Sequence, residues 1–218
     1  MQGNHVINDN LRMELVLSLR QAGITSPSVT STMENIPREL FVPQAFKEQA
    51  YKDVTLPIGH HQTLSQPAVV GLMTECLNLD DRKKVLEVGT GSGYQTSVLS
   101  CLCRRVYTIE RHGSLLEEAE RRFEYLRLHN ITSKAGDGTL GWDSQAPFER
   151  IMVTAAAADI PPLLLDQLAV EGIMIVPIGT NDHHNTILKV TKKRDGLETE
   201  ELRDVRFVPL IPEEATGS

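Results

Sequence analysis

Three glycines at alternate positions, Gly89, Gly91 and Gly93, follow an apolar stretch that is typical of a β-strand. A strand that leads into a glycine-rich turn and then a helix places backbone N–H groups at the positive end of that helix, where a phosphate or carboxylate binds well. Loops of this kind hold several adenosine-containing molecules. The pattern therefore predicts an adenosine-containing ligand, and the details of the loop decide which one.

Two common glycine-loop patterns fit this stretch poorly. A dinucleotide fingerprint that starts at Gly89 needs a small residue at position 94, where helix and strand pack closely, but Tyr94 stands there. A phosphate-binding loop closes on Gly-Lys-Ser/Thr, yet residues 85–103 contain no lysine. The G-x-G-x-G spacing instead suits S-adenosyl-L-methionine, whose amino-acid part needs close backbone approach and carries no pyrophosphate.

Acidic residues accompany three successive predicted strands. Glu87 lies two residues before the glycine loop, Glu110 ends the next strand, and Asp137 follows the third. We expect Glu110 to accept from both ribose hydroxyls and Asp137 from the adenine amino group, at about 1.5–3 kcal/mol per charge-assisted bond. Each acid alone also fits a turn or a solvated strand end. Together, at the carboxyl edge of a parallel sheet, they favour an adenosyl cofactor site.

The sequence favours a carboxylate as the methyl acceptor, because it lacks the signature of an adenine-amine methylator. Methyl transfer from a sulfonium is an in-line displacement, in which orientation alone can supply up to about 7–11 kcal/mol. A carboxylate acceptor needs no base or metal because it is already ionised at pH 7. The stretch TAAAADIPP at 154–162 lacks the Asn/Asp-Pro-Pro-aromatic signature of an adenine-amine methylator and offers no ring to stack on a flipped base.

A metal site is not expected. Adjacent histidines, as in His60-His61 and His183-His184, point in different directions on regular backbone. Neither pair has a further ligand at helical spacing, which a metal site of this type would need.

Length and composition limit the protein class. The 218 residues suffice for one sizeable α/β domain, and the formal charge of -7 argues against long-range attraction to nucleic acid. No apolar run approaches the ~18 residues that would span a bilayer, and the N-terminus lacks the pattern of a secretory signal. We therefore expect a cytoplasmic monomer with neither nucleic acid nor membrane as a partner.

The order of predicted elements indicates the fold. Asp9 is expected to cap a helix that ends at Gly23, and Ser26 a second helix that runs to about Ile36. Residues 41–66 have the composition of a loop-rich segment, and a helix follows over 67–79. From Lys84 onward, strands and helices alternate, which predicts right-handed βαβ units in a mostly parallel, doubly wound sheet.

The sequence thus predicts a single α/β domain over 1–218, with a Rossmann-like S-adenosylmethionine-dependent methyltransferase fold. A helical cover is expected over 1–80, the cofactor-binding core over 81–180, C-terminal strands over 181–212 and a frayed tail over 213–218. The last strands are expected to form a β-hairpin that turns at Asp195-Gly196 and runs on to about residue 210.

Several motifs together resemble the protein-L-isoaspartate O-methyltransferase family, over about residues 11–210. QTLSQP combined with TAAAADIP is more discriminating than the glycine loop. The resemblance implies a cytoplasmic repair enzyme that methylates the α-carboxylate of isoaspartyl residues in proteins and peptides, after which the ester collapses to a succinimide that reopens partly to normal Asp. The matching segments are IPRELFVP (36–43), PIGHHQTLSQP (57–67), LEVGTGSGYQ (86–95), VYTIER (106–111), GDGTLGW (136–142), TAAAADIP (154–161), VPIG (176–179) and RFVPL (206–210).

The same resemblance implies roles for individual residues. Ser65 would be the active-site hydroxyl, with Thr63 beside it, and would orient a carboxylate oxygen towards the methyl group. Alternatively Ser65 caps the helix that begins at Pro67, and both roles could coexist. Substrate would lie as extended backbone against the segment that contains Val208. The predicted cofactor-binding residues are Glu87, Gly89, Thr90, Gly91, Gly93, Glu110, Arg111, Asp137, Gly138 and Thr154.

Two other functions stay open at this point. One is a methyltransferase that acts on RNA or a small molecule, and the other is an adenosyl-binding module without catalysis. The chain also departs from the family at His60-His61, which replaces a more glycine-rich pair and could alter the rim of the substrate cleft.

Overall fold

A seven-stranded sheet forms the centre of the computed structural model, which describes residues 3–181 and 184–211. The helices are α1 (Gly3–Gln21), α2 (Pro27–Asn35), α3 (Pro67–Cys76), α4 (Tyr94–Leu102), α5 (Gly113–Tyr125) and α6 (Pro162–Gln167). The strands are β1 (Leu56–Gly59), β2 (Gln62–Leu64), β3 (Lys84–Val88), β4 (Arg105–Glu110), β5 (Ile131–Ala135), β6 (Phe148–Val153), β7 (Leu168–Asn181), β8 (His184–Lys192) and β9 (Leu197–Val205). Short 3₁₀ turns span Arg38–Phe41, Gln44–Gln49, Gly138–Leu140 and Asp143–Gln145.

The strand order of the central sheet is β5-β4-β3-β6-β7-β8-β9. The first five strands run parallel, while β8 and β9 are antiparallel additions at one edge. The predicted fold class, a mostly parallel Rossmann-like sheet with hairpin strands at the C-terminal end, is confirmed.

The register of the sheet positions the glycine loop. Val88, the last residue of β3, pairs with Ile109 of β4 on one side and Val153 of β6 on the other. Because the chain order reverses at β3, the loop that follows it opens into the crevice where doubly wound sheets bind ligands. Glu110 ends β4 and Thr154 follows β6 at the same edge.

Apolar side chains cover both faces of the sheet. On one face, Val85 and Val106 pack with Met73 of α3 and Leu99 of α4. The opposite face packs Leu86 and its neighbours against Leu164 of α6. Because both faces are buried, Val85, Leu86 and Val88 of β3 are all core residues, as is usual for central parallel strands.

The N-terminal cover differs in part from its prediction. Ser26 caps α2 as expected, since its side chain accepts from the N–H of Val29. The expected start of α1 at Asp9 is wrong, because the helix begins at Gly3 and nothing in the residues between interrupts helical backbone. Residues 41–66 are more ordered than the predicted loop, because β1 and β2 pair there as an antiparallel hairpin.

The C-terminal segment also ends differently. The last strand was expected to run on to about residue 210, but β9 stops at Val205. Beyond it the chain crosses to the carboxyl edge of the sheet, where Pro209 forms a parallel bridge with Ala156. The predicted tail over 213–218 lies outside the described residues.

Within the described ranges, the longest helices are too short or too polar to cross a bilayer.

Candidate active site

Packing explains two of the three glycines in the loop after β3. Gly89 has a φ of +97°, and a Cβ on it would lie 2.2 Å from Thr154 Oγ1. Gly93 has a φ of +88°, and a Cβ there would lie 2.7 Å from a ring carbon of Phe123 on α5. Any side chain would therefore push the loop off β6 or α5. This close fit places the start of α4 next to the carboxyl edge of the sheet.

A cavity lies between this loop and the β1–β2 hairpin. Ile58 of the hairpin faces Gly91 so closely that a Cβ on the glycine would lie 3.3 Å from Ile58 Cδ1. The cavity gathers most of the residues that the sequence predicted for catalysis and binding. Those that line it are Thr63, Ser65, Gly89, Thr90, Gly91, Glu110, Arg111, Gly138, Thr154 and Val208.

Glu110 is held in a fixed orientation at the end of β4. Its Oε2 accepts from the backbone N–H of Gly91 over 2.8 Å, and its Oε1 from that of His112 over 2.9 Å. The side chain is buried, with 5% of its surface exposed. A carboxylate has about four lone-pair sites, so each oxygen retains one for a further donor. Glu110 can therefore accept from a pair of vicinal hydroxyls without losing its protein contacts.

Glu87 lies beneath the loop and does not line the cavity. It is completely buried, and its Oε2 accepts from Thr96 and Thr108 over 2.5 and 2.6 Å. Burial, helped by the charge of Glu110 and opposed by the two hydroxyl bonds, raises the pKa of Glu87 to about 8. The Thr108 hydroxyl lies 2.6 Å from that of Thr90, which does line the cavity. Glu87 is thus placed to act on the loop through hydroxyl groups, and its direct contact with a cofactor stays a prediction.

Two further predicted residues, Gly93 and Asp137, are not among those that line the cavity. Gly93 is turned towards α5, as described above. Asp137 Oδ1 accepts from the N–H and the hydroxyl of Thr139 over 2.8 and 2.7 Å, and so caps the short turn at Gly138. Gly138 itself lines the cavity. Contact between Asp137 and an adenine amino group stays a prediction.

The capping role considered for Ser65 is wrong. Gln66 precedes α3 and makes no side-chain cap. The backbone N–H of Ala68 in the first turn donates instead to Asp53 Oδ1 over 2.8 Å. The local pattern Ser-x-Pro suggested a cap, but a carboxylate from the preceding segment already satisfies this helix end. No capping bond therefore keeps the Ser65 hydroxyl from the cavity that it lines.

Arg38 was not predicted to have a role, yet it fixes the backbone of Ser65. Its side chain is completely buried, and Nη2 donates to the carbonyl oxygen of Ser65 over 2.7 Å while Nε donates to that of Ala50 over 2.7 Å. The guanidinium carbon lies 4.5 Å from the ring centroid of Tyr94 in α4. One side chain thus connects the chain at Ala50, the Ser65 segment and the helix after the glycine loop.

A second, open cleft of about 1070 Å³ adjoins the cavity. Residues 54–69 form one wall, and His184 with residues 203–211 forms the other. The C-terminal wall is fixed to the sheet edge, because Ala156 N donates to the Val208 carbonyl over 2.8 Å and Leu210 N donates to the Ala156 carbonyl over 2.7 Å. Thr63, Ser65 and Val208 line both the cavity and the cleft.

The residues of the cavity fit S-adenosylmethionine. The glycine cradle admits backbone contact where a Cβ would clash, and Glu110 presents a fixed carboxylate with free lone pairs to ribose hydroxyls. The helix start at Tyr94 adds a positive dipole end near the loop.

As for metals, residues 3–181 and 184–211 contain no group of three His, Cys, Asp or Glu side chains placed to bind one. His183 lies outside these ranges.

The family model and the curated relatives that match this chain carry the same family description. The family model described as protein-L-isoaspartate(D-aspartate) O-methyltransferase matches residues 10–215. The protein-L-isoaspartate O-methyltransferase of Rhodospirillum centenum is 55% identical over 205 residues, covering 94% of this chain and 93% of that protein. The protein of the same name from Rhodospirillum rubrum is 53% identical over 213 residues, covering 95% and 97%.

Solved structures agree with these sequence matches. A structure of a protein-L-isoaspartate O-methyltransferase superposes with a TM-score of 0.82 at 28% identity, covering 91% of this chain and 65% of that one. A putative enzyme of the same name from Plasmodium falciparum, in complex with S-adenosyl-L-homocysteine, superposes with a TM-score of 0.78 at 24% identity, covering 92% and 98%. This second structure supports the fold.

Proposed function

The chain belongs to the protein-L-isoaspartate(D-aspartate) O-methyltransferase family, and from this premise we propose that it methylates the α-carboxylate of isoaspartyl residues in proteins and peptides. S-adenosyl-L-methionine is its methyl donor. The observation that carries the proposal is that Thr63 and Ser65 line both the cofactor cavity and the adjoining cleft. A peptide carboxylate in the cleft would therefore meet the cofactor beside two hydroxyl groups.

The reaction depends more on the orientation of methyl donor and acceptor than on activation of the acceptor. When bound, S-adenosylmethionine supplies an electrophilic methyl carbon that a carboxylate oxygen attacks as the bond to sulfur breaks. The acceptor is ionised at neutral pH, so the site needs no general base. We propose that the Ser65 hydroxyl donates to one carboxylate oxygen and directs the other, with Thr63 at the opening. Holding two reactants in line is sufficient for much of the rate enhancement.

The cofactor roles follow from the cavity lining. We propose that Glu110 accepts from both ribose hydroxyls, and that the loop at Gly89 and Gly91 approaches the amino-acid part. Arg111, Gly138 and Thr154 complete the walls. Glu87 is assigned an indirect role through Thr108 and Thr90, and Asp137 remains our candidate for the adenine amino group.

Recognition of the substrate would depend on peptide shape. Segment 206–210 is held at the sheet edge by its backbone bonds to Ala156, and we propose that damaged peptides lie extended along it at Val208. Backbone recognition suits an enzyme that must act on isoaspartyl residues in many sequence contexts. After methyl transfer, the substrate's own backbone nitrogen displaces methanol from the ester to give a succinimide, which hydrolyses partly to normal aspartyl.

The remaining expectations concern the state of the protein in the cell. We propose a cytoplasmic monomer whose residues 1–218 form one domain, and which acts on polypeptides rather than nucleic acid. The net charge of -7 supports the last point, since a nucleic-acid enzyme gains from positive charge.

Paired peptides that differ only in Asp versus isoAsp test the function directly. Incubation with labelled S-adenosylmethionine should label the isoaspartyl peptide, and the label should leave as methanol while a succinimide forms. Equal labelling of the two peptides, or labelling of RNA or small molecules alone, would contradict the proposal. Cofactor binding with no turnover on any acceptor would instead indicate a binding module.

A further inference from the structure

The β1–β2 hairpin forms the outer wall of the cofactor cavity. Ile58 and Gln62 line the cavity from opposite strands, and Ile58 packs over Gly91. The strands pair through Gly59 and Gln62, so the turn consists of His60 and His61. Both histidines have positive φ, +49° and +55°, as the two central residues of a type I′ turn require. A cofactor that enters or leaves past Gly91 must pass this hairpin.

His60, at the tip of the hairpin, contacts the body of the protein. The His60 ring stacks on the His112 ring, with centroids 4.9 Å apart and planes at 28°. His60 Nε2 also lies 2.8 Å from the Ser114 hydroxyl in the first turn of α5. These contacts connect the hairpin tip to the residues that immediately follow β4.

His112 is itself part of the support of the cofactor acid. Its backbone N–H donates to Glu110 Oε1 over 2.9 Å, while Gly91 N donates to Oε2. The His60–His112 stack therefore lies one residue from the carboxylate that is assigned to the ribose. Movement of the hairpin tip would release both the wall over Gly91 and the ring of His112, whose backbone N–H supports Glu110.

We propose that His60 is a positioning residue that holds the hairpin closed over the bound cofactor by stacking on His112. The proposal rests on the proposed function only through binding of the adenosyl cofactor. The closed stack lengthens the residence of the cofactor between binding and methyl transfer. Neither residue touches the reacting atoms.

The charged groups around the His60–His112 stack make closure of the hairpin depend on pH. Burial lowers the pKa of His112, the neighbouring His60 and Arg111 act in the same direction, and Glu110 opposes them. His112 Nε2 is buried and finds no hydrogen-bond partner among the described residues, so a second proton on this ring has no acceptor there. The closed hairpin therefore favours neutral His112. Closure is fully supported above the ordinary histidine pKa of 6.5 and is lost as pH falls through the lowered value.

Release of labelled S-adenosylhomocysteine into excess unlabelled ligand measures the residence of the cofactor product. His60→Asn removes the ring but tolerates the left-handed backbone of the turn. At pH 8 it should release ligand about three- to tenfold faster than the unmodified protein, the range set by loss of one aromatic pair. His61→Asn makes the same change at the neighbouring residue of the turn, without the stack, and should leave the release rate unchanged.

The pH profile separates a specific stack from general loosening. In the unmodified protein, release should accelerate several-fold between pH 8 and pH 5.5. His112→Phe keeps a ring and the backbone N–H while removing the titrating group, and its release rate should stay nearly constant over this range. Equal release rates for His60→Asn and His61→Asn, or an unaltered pH profile in His112→Phe, would overturn the proposal. Failure to methylate isoaspartyl peptides would contradict the proposed function but leave these binding results intact.

Discussion

Arg38 Nη2 donates a hydrogen bond to the carbonyl oxygen of Ser65 over 2.7 Å, from a side chain with no exposed surface. A second bond from Nε to Ala50 fixes the guanidinium plane. The position of the Ser65 segment therefore depends on a residue 27 positions earlier in the chain.

Arg38→Lys should lower turnover without preventing cofactor binding. A lysine keeps the charge but cannot make both bonds in the same plane. We expect a loss of about 1.5–3 kcal/mol in the free energy of unfolding. Turnover should fall by about tenfold to a hundredfold, because small misplacements at a reacting centre are costly. Denaturant unfolding, steady-state kinetics and calorimetry with S-adenosylhomocysteine measure the three quantities, and Arg82→Lys, at an exposed arginine, is the matched control. Unchanged turnover would show that the Ser65 segment holds its place unaided.

Ser65→Ala should reduce kcat by about 10²-fold, the lower range for loss of one positioned polar group. Cofactor affinity should change little, since the hydroxyl is assigned to the acceptor carboxylate. Methylation of an isoaspartyl peptide under saturating cofactor is the measurement, with Ser31→Ala on the exposed face of α2 as control. Full activity in Ser65→Ala would leave the hydroxyl without a catalytic role, because the alternative capping role is absent.

Glu110→Ala should weaken binding of S-adenosylhomocysteine by about 2 kcal/mol or more, the cost of losing charged hydrogen bonds. Glu110→Gln should also bind weakly, because its amide NH₂ would face the backbone N–H of either Gly91 or His112. Titration calorimetry measures both affinities, and Glu117→Ala on the exposed side of α5 should bind normally. Retained affinity in Glu110→Ala would remove the ribose assignment.

Glu87→Gln should change how stability depends on pH. The pKa of Glu87 is raised from 4.5 to about 8, so the folded state retains a proton that the unfolded state loses. Its contribution is fully present below pH 4.5 and is lost as pH rises towards 8. The stability of Glu87→Gln relative to the unmodified protein should therefore rise across this window and level off above it. Urea unfolding of both proteins at several pH values gives the difference, and a constant difference would contradict a buried neutral acid.

Periodicity and strand-end chemistry predicted most of the sheet and the gathering of residues at its carboxyl edge. The alternation after Lys84 is a strong signal because apolar strands and amphipathic helices have different periods. Ser26-Pro27 likewise identified a helix start from two local preferences. The motif segments brought Ser65, Glu110 and Val208 into one site, although they are far apart in the chain.

Tertiary contacts explain what the sequence did not predict. The β1–β2 hairpin escaped notice because Pro57 interrupts the alternation, and because histidines occupy turn positions that Asn-Gly usually marks. Arg38 was assigned no role, since buried arginines are rare and only folding shows which carbonyl groups need a donor. Glu87 appeared to face the ligand, but the register of β3 turns it towards Thr96 and Thr108.

The walls of the open cleft come from distant parts of the polypeptide, residues 54–69 on one side and His184 with residues 203–211 on the other. Residues 207–211 also line the cofactor cavity, so during translation neither the cavity nor the cleft is complete until almost the entire chain has left the ribosome. Catalytic competence is therefore acquired last. Loss of the residues after about 200 would therefore remove one wall of both the donor cavity and the peptide cleft.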